Sequence, residues 1–461
     1  MEQAKQKTLI KDFTQGPILR AMITFALPLF LSNMLQAVYN VVDMVVVGRV
    51  VGEAGLSGLS IGGDVLSFLT FISMGFSTAC QTIIAQYIGA GWKDKLSRFI
   101  GTMSSFLILC AVGMSVLCLI LREQILTWLN TPTESWDQAM AYSTTCMCGL
   151  VFIYGYNIVS AILRGMGDSK RPFVFIAIAS VLNLGLDVLF VAVFRWEAFG
   201  AALATVTAQA VSFVISLIYL YKRRANLGFD FALRHFRIDR AELGPLLKLG
   251  IPSAISCASI QISKLFVNAC INDFGVTVSA VTGVGHKVDL FANQMSFAIA
   301  TAGGSMTGQN IGAEKYDRVK SILRWAFLLT CTFAVITISA ITLFPNTIFG
   351  IFTEETAVLL VCMEYIPICW VNFTASALRG AMNSFNFGCG NYKFNFAVAL
   401  LDGIVARIGF SLLLGFAMNL GYFGFWLGNA LAGTVPFFIG LVYYLSGRWK
   451  KRSNILESAH T

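Results

Sequence analysis

Twelve stretches of roughly 20 residues, nearly free of charge and separated by short polar turns, run the length of the chain. They fall at approximately 18–47, 54–85, 99–121, 138–163, 173–194 and 198–221, then at 246–271, 277–306, 319–345, 357–380, 394–418 and 422–446. Hydrocarbon offers no water to satisfy backbone N–H and C=O groups, so segments this long and this apolar cross a bilayer as helices. The expected class is therefore an all-α integral membrane protein with twelve transmembrane helices. Composition agrees: 12 % of residues are charged, against about 25 % in soluble domains.

The basic residues give the chain a direction. If the N-terminus is cytoplasmic, 27 of the 33 Lys and Arg collect on that side, including Lys5, Lys7, Lys11, Arg164, Arg379, Lys451 and Arg452. Only Arg49, Arg122 and Arg195 lie opposite, and Lys264, Lys287 and Arg407 fall inside spans. By the positive-inside rule both termini are cytoplasmic, which points to a multi-pass protein of the plasma (inner) membrane. The first apolar stretch is too long for a cleaved signal and reads as a retained helix. The net charge of +9 comes from short clusters between spans, with no continuous basic face, so no nucleic-acid partner is expected. Of 11 cysteines, ten lie in apolar segments and Cys389 in a basic loop; Cys146 and Cys148 have no companion His or second pair, so no structural metal is expected. There is no Walker A, H-E-x-x-H or nucleophile elbow, so the chain reads as neither an ATP-driven pump nor an enzyme, with no cofactor.

The polar stretch 222–244 divides the chain into an N-terminal six-helix lobe, 1–221, and a C-terminal one, 245–461. The halves repeat. AQYIGAG at 85–91 returns as GQNIGAE at 308–314, GMGDSK at 165–170 as GCGNYK at 388–393, and FGAAL at 199–203 as FGFWL at 423–427. LRG at 163–165 returns at 378–380, displaced as if by an insertion. Six is even, so both halves enter from the same side: two parallel bundles related by a pseudo-two-fold axis along the membrane normal, an arrangement of alternating-access transporters.

A charge at mid-span costs about 2.5–3.5 kcal/mol on insertion scales, so each such residue needs a reason. Asn33, Gln36, Asn40 and Asp43 recur every three or four residues in the first span. Gln36, Tyr39 and Asn40 read as support for Asp43. Asn183 and Asp187 are four apart, on one face of the fifth span. Counted inward from the outer ends at about 1.5 Å per residue, Asp43, Asn183, Asp187 and the sixth-span Thr205 reach a similar level. Two carboxylates, an amide and a hydroxyl there can form an oxygen cage for a small cation such as Na⁺, or share a proton. An offset of 225 carries Gln36 to Gln261 and Asp43 to Asn268, and an offset of 223 carries Asp187 to Phe410, so the second half lacks both acids. It has its own polar set, a candidate C-lobe cavity: Gln261, Lys264, Asn268, His286, Lys287, Asp289, Asp402 and Arg407. Gly58 and Gly62 make a G-x-x-x-G of close helix packing.

With two six-helix repeats, the basic central loop, Q-x-I-G-A after spans two and eight and LRG-x-G-D after span four, the chain resembles the multidrug and toxic compound extrusion (MATE) transporters over nearly its whole length. It is most similar to the branch typified by the DNA-damage-inducible F proteins. That resemblance implies a cation site in the N-terminal lobe at Asp43, Asn183, Asp187 and Thr205. It also implies export of amphipathic, often cationic organic molecules in exchange for Na⁺ or H⁺; the chain is expected to work as a monomer. The other bacterial branch uses acids in helices seven and ten; here those helices offer Gln261, Lys264 and Asn372. The alternatives are a lipid-linked oligosaccharide flippase, which would want a strongly basic cavity, and an intramembrane protease, which would need Asp168 embedded beside a second acid.

Overall fold

The computed structural model describes residues 10–227, 229–230, 233–353 and 355–450. Lys5, Lys7, Lys451 and Arg452, counted above, lie outside them. Among the described residues the chain is helical, without strands. The long helices are α1 (Ile18–Val50), α2 (Glu53–Gly89), α3 (Lys93–Ile120), α4 (Trp136–Gly165), α5 (Lys170–Val193), α6 (Glu197–Arg223), α7 (Arg240–Asn272), α8 (Val276–Gly312), α9 (Tyr316–Leu343), α10 (Thr356–Cys389), α11 (Tyr392–Ala417) and α12 (Gly421–Leu445). Among the described residues, 11 of the helices are long and apolar enough to cross a membrane. The one outside that set is α8, whose His286, Lys287, Asp289, Asn293 and Gln294 dilute its apolar character.

The chain packs as two compact units. The first holds Leu31–Ile84 and Trp92–Leu246. The second holds Asp12–Phe30, Ala85–Gly91 and the chain from Leu247 onward.

In the first unit, small residues set how closely helices approach. A Cβ at Gly58 would stand 2.6 Å from Gln138 Cβ, and one at Gly62 would stand 2.5 Å from the Tyr142 ring. The G-x-x-x-G pair thus seats α2 directly on α4. Gly62→Leu is expected to cost at least the 1–3 kcal/mol typical of overpacking, roughly, and to lower the monodisperse fraction in fluorescence-detected size exclusion. Gly63, with nothing within 4 Å of its added Cβ, is the control. Equal yields of the Gly62→Leu and Gly63→Leu proteins would contradict this packing. The polar stretch after α6 is docked rather than free. Ser97 Oγ accepts from Asp230 N (3.1 Å), Ser105 Oγ donates to Phe236 O (2.7 Å), and Thr102 Oγ1 accepts from Asp239 N (3.2 Å). All three side chains belong to α3, and Gly101 between them lets the His235 carbonyl approach.

In the second unit the residues before α1 lie against α8 and α9. Phe13 is buried, its N–H donates to Gln309 Oε1 (2.9 Å), and Arg318 Nη2 donates to the carbonyls of Phe13, Gln15 and Gly16 at 3.1 Å each. One guanidinium here satisfies three carbonyls that precede a helix and have no helical partner.

Contacts inside each unit repeat in register. Gly62 against Tyr142 returns as Gly285 against Tyr365, and Gly165 against Gln81 and Ile84 returns as Gly388 against Gly304 and Thr307, both at an offset of 223. Gly200 against Phe190 returns as Gly424 against Leu414, at 224. This register corrects three expectations. No insertion separates the halves here, because the end of α4 matches the end of α10 directly; Arg379 is not the counterpart of Arg164. Arg164 sits in the last turn of α4 and donates to Gln81 Oε1 (3.1 Å). Arg379 lies ten residues before the end of α10, inside the helix, and donates to Asn293 Oδ1 (3.0 Å). Cys389 is the buried last residue of α10, not a loop residue. Finally, Asp187 matches Ser411 rather than Phe410 at the offset of 224 that governs these helices.

Asp168 and Asn391, 223 apart, do the same local job. Asp168 Oδ1 accepts from the N–H groups of Lys170 (3.1 Å) and Arg171 (3.3 Å), and Asn391 Oδ1 from Phe394 (3.2 Å). Each satisfies orphan donors at the start of the next helix. Asp168 Oδ2 pairs with Arg171 at 2.9 Å, so G-x-G-D is a helix cap held by a cation, not half of a carboxylate dyad.

Candidate functional site

The first unit brings together side chains from α1, α5 and α6. Asp43 comes from the C-terminal part of α1, Asn183 and Asp187 from one face of α5, and Thr205 from α6; all four are buried, Asp187 completely. Immediately after Asp187 the helix widens into a π turn over Val188–Val193, a distortion frequent at functional sites. Asp43 and Asp187 interact directly. Asn183 Nδ2 lies 3.5 Å from Thr205 Oγ1. Among the described residues no other group donates to either Asp187 oxygen, to Asp43 Oδ1 or to Asn183 Oδ1, and the Asp187 carboxyl meets only that of Asp43. Each buried acceptor left this way costs about 1–3 kcal/mol, more when charged. Four such oxygens on two helices have the chemistry to coordinate a small cation or to take up a proton.

The surrounding residues sort unevenly. Tyr39 and Gln36 are half-buried, and Tyr39 sits among Gln36, Gln209, Asp43 and Tyr156. Asn40 is exposed, although it shares the helix face of Gln36 and Asp43. Gln209, absent from the sequence-based set, is buried, and its Oε1 has no hydrogen-bond partner among the described residues. Its signal was present: it lies one turn beyond Thr205 on the same face of α6.

The second unit gathers a different set. Asp402 and Arg407 are buried and paired at 3.3 Å. Asp402 lies in a π turn, Leu401–Ala406, while a second π turn, Leu413–Ala417, is the counterpart of Val188–Val193. Arg407 Nη1 donates to Asn429 Oδ1 at 2.5 Å. Asp289 is buried and accepts from Tyr365 Oη at 3.2 Å. Lys264, Gln261, Asn268 and His286 are half-buried, and Lys264 lies within electrostatic reach of Asp289, Asp402, Arg379 and Arg407. Lys287 is exposed, its ammonium 5.8 Å from the centre of the Phe352 ring, apart from the residues around Lys264.

Known proteins share this plan. One family model, MatE, matches residues 28–189 and again residues 252–413, displaced by 224 at both ends. The chain is 30 % identical to the probable multidrug resistance protein YpnP of Bacillus subtilis (strain 168), over 95 % of this chain and 97 % of that one. It is 26 % identical to the probable multidrug resistance protein YoeA of the same organism, over 98 % of each. A solved structure described as the outward-facing conformation of a multidrug resistance MATE family transporter of the MOP superfamily superposes with a TM-score of 0.88. That likeness covers 99 % of this chain and 100 % of the other at 21 % identity, and shows the fold. Matched twice by one family model, in the register its own glycine contacts display, the chain belongs to the MatE family of transporters.

Proposed function

We propose that this chain is a secondary active antiporter that exports amphipathic organic compounds, many of them cationic, in exchange for Na⁺ or H⁺. The observation that carries the reading is the set of unpartnered buried oxygens on Asp43, Asn183 and Asp187. A purely structural polar cluster would be closed by donors, and this one is not. A cation or proton that binds these oxygens in one conformation and leaves in another lets its gradient bias an alternating-access equilibrium. The relatives' names, multidrug resistance proteins, support the substrate class. On this reading the chain spans the plasma membrane twelve times, α8 included, with both termini cytoplasmic. Its two six-helix halves act as lobes, and it works as a monomer close to the DNA-damage-inducible F branch.

The orientation has its own test. A thiol-reactive, membrane-impermeant tag is expected to label a cysteine at Thr133 or Thr353 from outside intact cells, and not one at Lys93 or Asp239. External labelling at Asp239 would overturn the twelve-span arrangement. Function is tested by efflux of a cationic dye from proteoliposomes with Na⁺ and proton gradients imposed separately. Efflux indifferent to both gradients would sink the antiport reading.

A further inference from the structure

The in-register repeat makes a position-by-position comparison possible. At an offset of 224, Asn183 becomes Arg407 and Thr205 becomes Asn429. The contact between them persists: Asn183 to Thr205 in the first unit, Arg407 to Asn429 in the second. At the same offset Asp187 becomes Ser411; at 225, which aligns Gln36 with Gln261, Asp43 becomes Asn268 and Tyr39 becomes Lys264. The second unit therefore rebuilds the same constellation with its sign reversed. Where the first has two acids and no base, the second has two bases and no acid.

Two carboxylates enter from elsewhere and offset part of that charge. Asp402, on the π turn that the first unit lacks, takes Nη2 of Arg407. Asp289, from α8, is bound by Tyr365. Against these two acids stand Lys264, Arg379 and Arg407, mutually within electrostatic reach, before His286 is counted. The cluster keeps an excess of positive charge. Two donors in it are unused: Arg407 Nε, on a side chain buried to 96 %, has no partner, and the Lys264 ammonium has no hydrogen bond or ion pair among the described residues. Helix α7 is held close to the π turn by Ser263 Oγ donating to Gly403 O, which keeps Lys264 beside this group.

We infer that Lys264 and the Nε–H of Arg407 form a subsite for an organic carboxylate, so that the second unit takes the acidic group of a zwitterionic substrate. This rests on the transport reading, and it names a substrate feature that the cation site does not provide. Arg407 is buried and its guanidinium is weakly hydrated, so a carboxylate borne on a lipophilic body is favoured here over a strongly hydrated inorganic anion.

The test uses two dyes that differ in one group: rhodamine 19, with a free carboxylate, and rhodamine 6G, its ethyl ester. Binding to the purified full chain in detergent is followed by fluorescence polarisation. Wild type is expected to bind rhodamine 19 about tenfold more tightly than rhodamine 6G, a difference on the scale of one charge-assisted contact. Lys264→Gln is expected to erase that preference by weakening rhodamine 19 alone. Asp289→Asn, which removes a competing carboxylate, is expected to widen it. If Lys264 serves only to neutralise Asp289, Lys264→Gln weakens both dyes together and Asp289→Asn leaves their ratio unchanged; that result, or equal wild-type affinities, overturns the inference. Because binding is read without any gradient, ion-driven efflux of rhodamine 6G tests the antiporter separately, and a failure of one does not imply a failure of the other.

Discussion

Asp187→Asn is expected to abolish gradient-driven export while the protein still inserts and folds. The carboxylate is fully buried and, among the described residues, meets no partner but the Asp43 carboxyl. An amide fits the same space and removes a charge whose burial costs about 2.5–3.5 kcal/mol, so membrane yield stays level or rises. What disappears is the differential interaction with the ion, and with it the coupling, on the order of 10–100-fold in efflux rate. Asp43→Asn is expected to behave alike, because the two carboxyl groups interact directly. Asn268→Asp rescues neither: its neighbour at the position equivalent to Asp187 is Ser411, beside a cationic rather than an acidic group. The measurement is dye efflux alongside quantified protein in the membrane. Wild-type efflux by Asp187→Asn would remove the site from the mechanism.

The second large effect separates the coupling ions. Na⁺ wants several oxygen ligands, and Asn183 Oδ1 is one of the four unpartnered acceptors. A proton needs only a carboxylate. We hypothesise that the site takes Na⁺, with proton exchange at the same acids as the competing case. Asn183→Leu keeps the shape, deletes the carbonyl ligand and ends the 3.5 Å contact with Thr205. Na⁺-driven efflux is then expected to fall by at least about tenfold, the effect of losing one ligand interaction of roughly 1.4 kcal/mol. The experiment is efflux at fixed pH with and without a Na⁺ gradient, in wild type and in this variant. If wild type ignores Na⁺ and follows the pH gradient alone, Asp43 and Asp187 are proton carriers and the Na⁺ version is wrong.

The polar positions differed in how far the sequence could place them. Asn183 and Asp187 could be assigned to one face because a helix repeats every 3.6 residues, and Asp43 could be set at their level by counting from the outer ends. Counting along single helices gives depth and face, not partners. Asn40 belongs to the same sequence stripe as Asp43 yet is exposed. Spacings of three and four residues keep Asn40 on the same helix face as Gln36 and Asp43, so periodicity says which residues share a face and not which of them a neighbouring helix covers. Gln209 lay on the correct face of α6, one turn from Thr205, but nothing local distinguishes a glutamine facing a site from one facing a neighbouring helix.

The second half was harder still, and for the same reason. Lys264 and Lys287 look equivalent in sequence, each a lone cation in an apolar span. Only packing puts Lys264 beside Asp289 and Arg407, and Lys287 out over Phe352. LRG at 378–380 imitates LRG at 163–165, and the glycine contacts show that the true counterpart of Gly165 is Gly388. By itself the sequence determined that the chain is helical, that it carries apolar spans, that it repeats, and that acids are confined to one half of the repeated constellation. Those properties follow from hydropathy and periodicity, which act within one helix. Which buried oxygens are left without donors, and which bases gather in the other half, was decided by contacts between helices distant in sequence. In a bundle those contacts are set by where small residues let backbones approach, and only the tertiary structure contains that information.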